Sequence, residues 1–305
     1  MQKPQPITIA IEPEVIQKIH QAYRYSLCSD WGEVNLFDQD QHNSRLAQMI
    51  SRLLLQKYLI REKIPFTVRQ INNQNPSIQN QLLIGGRPVN FFLNVGRGEP
   101  EAAQPPRFFL TKNQVESLKE QDDLNIFGTF LRKKMDDSVE VPGFYYFLPA
   151  ILAHKSEANS PECLISSSQK HTVSIFTSDR EGLASSNEVS LIPGKPTRVS
   201  LNDSMIRFLY LQQKPAGEIS VSYPGQSFFN IQPADWTAIL FDPHFLMLIG
   251  YRSSLDLKIS ARQKLSIDTQ SRIRYFKTQK LDISPSTLRS LTGLFDYAKL
   301  LDKGE

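Results

Sequence analysis

The chain has 305 residues, 40% of them hydrophobic, with a formal charge of +4 and a pI near 8.9. That length suits one large domain or two ordinary ones, and so mild a charge specifies no nucleic-acid partner by itself. No apolar run approaches the roughly 18 residues of a membrane helix, and Met1 to Ile11 lacks the apolar core of a signal peptide, which predicts no integral membrane contact. Cys28 and Cys163 are the only cysteines, which fits a reduced, cytoplasmic protein better than a disulfide-stapled one.

Residues 7 to 11 alternate and predict a short strand. Pro13 and Glu14 then open a helix through about Tyr25, since Pro suits a first turn and Glu favours the positive end of the helix dipole. The polar stretch 29–43 reads as a loop or a broken helix. From Asn43 to Ile64, Leu46, Ile50, Leu53 and Leu54 recur at helical spacing, and Ala47 and Tyr58 widen the stripe. Asn43 or Ser44 is the expected cap, and Pro65 the stop. A helix of this size must pack its stripe on something. The strand-like runs 66–69, 81–84 and 89–93 follow, the last two flanking the hairpin turn Gly85-Gly86-Arg87-Pro88.

Residues 71–80, rich in Asn and Gln, predict a solvent loop. Thr111 with Gln114 three positions on is a capping-box signature. Strands are expected near 107–110, 125–131 and 144–153. Ten serines lie between 156 and 190, which places mobile loops near 155–161 and 179–187. Alternation and turn residues then predict strands at 172–176, 189–192, 197–201, 206–211, 219–223, 228–231, 236–241, 245–251 and 255–259. A final helix starts near Ser284, with Leu288, Leu291, Leu294, Phe295 and Leu300 as its apolar positions. The fold class is therefore α+β. A mixed α/β domain over 1–155 is followed by a strand-rich region over 156–305 that carries a basic segment and the terminal helix.

The helix at 43–64, followed by Gln81-Leu82-Leu83-Ile84-Gly85-Gly86-Arg87-Pro88-Val89-Asn90-Phe91-Phe92, resembles the core of the restriction-endonuclease-like (PD-(D/E)xK) nucleases. That core is a helix followed by a three-stranded meander. The resemblance extends over residues 43–153, including a later helix and strand. It implies that the family's first acid falls at Gln81, its second at Asn90 and its lysine at Phe92. All three are non-catalytic types. Such nucleases hold Mg²⁺ with carboxylates beside the scissile phosphate, whereas Gln81 and Asn90 offer only neutral carbonyls. The resemblance thus implies a core without catalytic or metal-binding residues. Glu33, Asp38 and Asp40, which lie before the helix, are the displaced carboxylates that would rescue a metal-dependent nuclease. An ordinary Gly-Gly hairpin beside a helix is the plainer reading.

Other chemistry is thinly signalled. Asp38, Asp40 and His42 alternate, but Asn43 and Met49 stand where a calcium loop needs Gly and Glu. His20, His42, His154, His171 and His244 show no ligand spacing, and no nucleophile elbow or phosphate-binding glycine motif occurs. An enzyme is not the expectation, and neither a cofactor nor a metal is called for.

The clearest charge signal lies at 252–280. Arg252, Lys258, Arg262, Lys264, Arg272, Arg274, Lys277 and Lys280 face only Asp256 and Asp268, so this segment carries 8 − 2 = +6 and the remainder 4 − 6 = −2. Tyr275 and Phe276 interleave it. Such a segment suits a phosphate backbone with rings available for stacking. A solvated edge rich in lysine, or a surface for an acidic protein, fits the same residues. The expected function is a non-catalytic nucleic-acid-binding or complex subunit with a degenerate nuclease-like core. The alternatives are an assembly factor that binds no nucleic acid, and a nuclease with displaced carboxylates.

Overall fold

The computed structural model describes residues 5–29, 39–69, 81–97, 106–118, 122–132, 144–147, 162–178, 184–202, 204–224, 229–239, 243–261 and 280–302. The class is mixed α and β, with most of the sheet toward the C-terminus. The chain forms two units: Met1–Ile16, Ala47–Asp136 and Pro243–Glu305 make the first, and Gln17–Leu46 and Asp137–Asp242 the second. This differs from a linear division at residue 155. The C-terminal stretch belongs with the first unit because one of its strands hydrogen-bonds within that unit's sheet.

In the first unit, strands β1 (Ile7–Ala10), β2 (Thr67–Arg69), β3 (Gln81–Ile84), β4 (Arg87–Arg97), β6 (Leu124–Arg132) and β16 (Phe245–Ser253) form one sheet in the order β1-β16-β6-β4-β3-β2. Only β4 and β6 run parallel, paired from Val89↔Leu124 to Arg97↔Arg132. The chain between them includes β5 (Phe108–Thr111) and helix α3 (Lys112–Glu116). The expected capping box is present: Thr111 Oγ1 accepts from Gln114 N at 3.3 Å, and Thr111 N donates to Gln114 Oε1 at 2.8 Å.

Both faces of the central strands are buried, which explains their nearly unbroken apolar sequences. On one face Phe127, Leu131, Met247 and Ile249 pack with Phe108 and Leu110 of β5, Val115 of α3 and Leu281 and Ile283 of β17 (Lys280–Ile283). On the other, Val89, Phe91, Ile126, Phe130, Leu246 and Leu248 are buried. Helix α2 (Gln39–Arg61) is tied to the sheet by Gln48, whose Nε2 donates to Phe91 O at 2.8 Å. It buries Ala47, Met49, Ile50, Leu54, Leu55 and Leu59.

Several elements depart from the sequence reading. Helix α2 starts at Gln39, so Asn43 and Ser44 lie inside it and are not its caps. It ends where Lys63 takes φ of 53° and Ile64 N donates to Leu59 O at 2.8 Å, a left-handed exit two residues ahead of Pro65. Residues 255–259, expected as a strand, lie within a helical segment over 254–261. The C-terminal helix is Leu291–Asp302, preceded by a 3₁₀ turn at Pro285–Thr287. Its buried face is Leu291, Leu294, Phe295 and Ala298, and Leu300 is exposed. The loops expected at 71–80 and 155–161 fall outside the described residues.

The second unit holds the strands β7 (Phe144–Phe147), β8 (Glu162–Ser167), β9 (His171–Ser178), β10 (Ala184–Leu191), β11 (Thr197–Ser200), β12 (Met205–Leu211), β13 (Ile219–Ser222), β14 (Phe229–Ile231) and β15 (Thr237–Ile239). They make a five-stranded sheet, β10-β9-β12-β7-β15, and a four-stranded one, β11-β8-β13-β14, every pair antiparallel. Cys163, Ile165, Val199, Ile219 and Val221 of one sheet share a core with Val173, Ile175, Leu209 and Leu211 of the other, as in a sandwich. Helix α1 (Pro13–Ser29) brings Arg24 to the opposite face of the five-stranded sheet, its guanidinium 4.3 Å from the Tyr210 ring centroid. Residues 184–187, expected in a loop, belong to β10.

Gly250 tests the packing of the first unit. A Cβ there would lie 2.7 Å from Arg289 O and 2.8 Å from Leu288 Cβ, and that backbone oxygen is already bonded to Tyr251 N. Gly250→Ala is expected to destabilise by about 1–3 kcal/mol in urea melts. Gly293→Ala, in the C-terminal helix with nothing within 4 Å of the new carbon, should stabilise by about 0.5–1 kcal/mol.

Candidate functional site

The hairpin that carries the nuclease resemblance forms as its sequence requires. Gly85 and Gly86 take φ of 56° and 74°, and Ile84 pairs with Arg87 across a two-residue turn. Two consecutive positive φ values make this a turn whose twist suits the flanking strands, and glycine adopts them without strain.

The three motif positions lie within described strands. Gln81 opens β3, and Asn90 and Phe92 lie in β4. Phe92 stacks on Phe127 with ring centroids 5.3 Å apart and planes 16° apart, and Phe127 meets Phe108 edge-on at 5.1 Å. Phe92, where the resemblance would put a lysine, is thus a hydrophobic contact in the first unit's core.

Asn90 opens a polar cluster. Its Nδ2 donates to Asp123 Oδ2 at 3.2 Å, and the parallel register sets it beside Asn125. Asp123 is buried, and its Oδ1 accepts no hydrogen bond from the described residues. Its carbonyl accepts from Ser254 N at 3.0 Å and from Asn125 Nδ2 at 3.3 Å. Asn125 Nδ2 also reaches Ser254 Oγ at 3.0 Å and Arg252 O at 3.3 Å. At the rim, Arg87 clasps Asp122 twice, Nη2 to Oδ2 and Nε to the carbonyl, each at 2.8 Å. The cluster joins the starts of β4 and β6 to the end of β16. It contains one buried carboxylate, and among the described residues no three His, Cys, Asp or Glu side chains gather as metal ligands. Asp123 was not singled out from the sequence. Its signal was the pair Asp122-Asp123 directly ahead of an apolar strand.

The basic segment divides. Arg252 turns inward: its Nη2 donates to Ser260 Oγ at 2.8 Å and lies 3.5 Å from Asp256 O. Burial lowers its pKa, and nearby Asp256 opposes that shift. Asp256 in turn pairs with Arg289 at 2.8 Å. Lys258 is half-buried on the helical segment 254–261, and Lys280 is exposed at the start of β17. Arg262, Lys264, Arg272, Arg274 and Lys277 fall outside the described residues, as do Glu33 and Asp38. Asp40 and His42 lie in the first turn of α2. Arg252 is thereby a structural residue of the β16 end, because its guanidinium is held by side chains and backbone of its own segment.

The second unit places other reactive types in packing roles. Cys163 is a free, buried thiol, its pKa pushed up to about 12 by burial and then by Glu162. Burial, with Arg24 adding to it, lowers the His20 pKa from 6.5 to about 3. Arg24 also lies 5.7 Å from the Phe176 ring, which itself stacks on Phe208 at 4.4 Å.

No helix among the described residues is long and apolar enough to cross a membrane. Comparison with family models, curated proteins and solved structures gives no match.

Two measurements check these assignments. Phe92→Lys places a charged amine in an apolar contact, and is expected to destabilise by roughly 2–4 kcal/mol in denaturant melts. For His20, the folded pKa is depressed. Its neutral form supports the fold fully above pH 6.5, and that support is lost as pH falls from 6.5 toward about 3 while the unfolded state takes up the proton. His20→Gln should flatten the stability profile across that window, measured by urea melts between pH 7 and pH 4.

Proposed function

We propose that this chain acts without catalysis, as a nucleic-acid-binding or complex subunit built on a core resembling the restriction-endonuclease-like nucleases. Support for the core comes from connectivity: α2, the antiparallel run β2-β3-β4, α3, and then β6 alongside β4 in parallel. The observation that carries the inactive reading is Phe92, whose ring stacks on Phe127 where the family places a cationic lysine. A phosphate or an attacking water finds no charged donor there, and the amide of Asn90 supplies no charge to neutralise a divalent ion. Binding would rest on the +6 segment at 252–280, chiefly through its bases other than Arg252. The free thiol of Cys163 accords with a reduced, cytoplasmic setting.

A second reading is favoured by one feature. Asp123 keeps a buried, unbonded carboxylate oxygen beside Asn90, which is the kind of displaced acid a metal-dependent nuclease would need. The two readings separate in a plasmid assay with Mg²⁺ or Mn²⁺. No cleavage is expected, and cleavage abolished by Asp123→Asn would establish the second reading in place of the first.

Fluorescence polarisation with single- and double-stranded DNA and with RNA tests the binding half. Binding at about 50 mM salt is expected to weaken steeply as salt rises. Changing Arg262, Lys264, Arg272, Arg274 and Lys277 to Ser should flatten the log–log salt slope by about 0.7–0.9 for each phosphate that is no longer neutralised. Absence of binding at low salt would leave the protein-assembly role, for which co-purification of partners from native cells is the direct assay.

A further inference from the structure

Two amides and a carboxylate converge at one point of the first unit's sheet. Asn90 and Asn125 are partners in the parallel ladder, so their side chains share a face. Asp123 joins them there, because Asn90 Nδ2 donates to its Oδ2 at 3.2 Å. Asp123 is 3% exposed and Asn125 0%.

The hydrogen bonds in this group do not balance. A carboxylate only accepts, and an amide donates through its nitrogen alone. Asn90 commits its nitrogen to Asp123 Oδ2. Asn125 commits its nitrogen to Asp123 O, Arg252 O and Ser254 Oγ. Neither amide gains by turning over, because its oxygen would then face another oxygen. Asp123 Oδ1 and Asn125 Oδ1 are left over, and no hydroxyl, amide or base among the described residues reaches either. Charge does not balance either. Arg87 pairs with Asp122 and Arg289 with Asp256, while Arg252 is held by Ser260 Oγ. Asp123 is thus a buried carboxylate that none of these bases neutralises, and such a charge is costly to bury.

We propose that a monovalent cation, sodium or potassium, binds between Asp123 Oδ1 and Asn125 Oδ1. Both oxygens lack a donor and one of them is anionic, which is the chemistry a hard cation takes as ligands. Charge sets the valence. One carboxylate offsets one positive charge, and a divalent ion would leave a net charge buried there. Among the described residues no three His, Cys, Asp or Glu side chains gather to hold such an ion. The alkali ion serves the junction of β4, β6 and β16, whether or not the chain binds or cleaves nucleic acid.

Urea melts of the full chain test this at a fixed total of about 0.5 M chloride salt, with Na⁺ or K⁺ exchanged for tetramethylammonium. Tetramethylammonium is too bulky to sit between two side-chain oxygens. An ion taken up on folding raises the folding constant by up to about tenfold for each tenfold rise in free ion. The unmodified protein should show that dependence with Na⁺ or K⁺, and adding Ca²⁺ should contribute nothing more. Asp123→Asn removes the charge and keeps the shape, and should abolish the dependence. Asp122→Asn removes the neighbouring carboxylate at the rim and should retain it. Should Asp123→Asn not fold, thallium(I), a heavy stand-in for potassium, locates the ion in crystals of the unmodified protein. An anomalous peak touching Asp123 Oδ1 and Asn125 Oδ1 is expected. Equal stability in all three salts overturns the proposal. So does an ion dependence that survives Asp123→Asn, stabilisation by Ca²⁺ alone, or an anomalous map with no peak at Asp123.

Discussion

The parallel pairing of β4 with β6 is the constraint on which the first unit depends. Nine consecutive register pairs join strands whose starts are 37 residues apart, from Arg87 to Leu124. A parallel pair cannot be closed by a tight turn, so the chain must leave the sheet and return. In doing so it lays down β5 and α3, whose Phe108, Leu110 and Val115 cover Phe127 and Leu131. Phe92 beside Phe127 is a direct product of this register, and so is Asn90 beside Asn125. The polar cluster around Asp123 and the aromatic stack thus lie two residues apart along one strand pairing.

That arrangement accounts for the character of the cluster. Asp123, Asn125, Ser253 and Ser254 are buried where β4 and β6 begin and β16 ends. Buried backbone and side-chain polar groups must find partners there or carry a desolvation cost. Asn125 supplies donors to two carbonyls and a hydroxyl, and Ser253 Oγ accepts from Asp256 N at 3.1 Å to start the turn into 254–261. Most of these contacts serve the fold. Asp123 Oδ1 and Asn125 Oδ1 stand apart, because nothing among the described residues satisfies either.

The second unit relies on a different device. Its two antiparallel sheets share an apolar core, and the opposite face of the five-stranded sheet carries Phe176, Phe208 and Tyr210. Arg24 spans two of these rings, an arrangement in which the planar guanidinium keeps its charge against aromatic faces. Tyr210 has its pKa raised to about 12, with burial the leading cause, so it remains a neutral ring beneath the cation. Burial likewise favours the neutral forms of His20 and Cys163, lowering the pKa of the first and raising that of the second.

Local signals in the sequence were enough for the elements built from local interactions. The Gly85-Gly86 hairpin, the Thr111–Gln114 capping box, the apolar face of α2 and most strands after residue 162 follow from turn chemistry, capping and periodicity over a few residues. The α+β class follows from the same patterns. Where tertiary contacts outweighed local pattern, the reading failed. Residues 184–187 look like a serine-rich loop but gain a partner in β9, and 254–261 alternate like a strand but turn helical after Ser253. The return of β16 to the first unit's sheet depends on pairing with β1 and β6, more than 110 residues earlier in the chain, and no window of sequence contains that contact. Asp123 was illegible for the same reason. An Asp before a strand is ordinary in sequence, and only the parallel register brings Asn90 to it. Sequence determines which segments can be strands or helices, because that choice is made by neighbouring residues. Which strands meet, and therefore which polar atoms are buried together, is decided by the long-range pairing that buries both faces of the sheet.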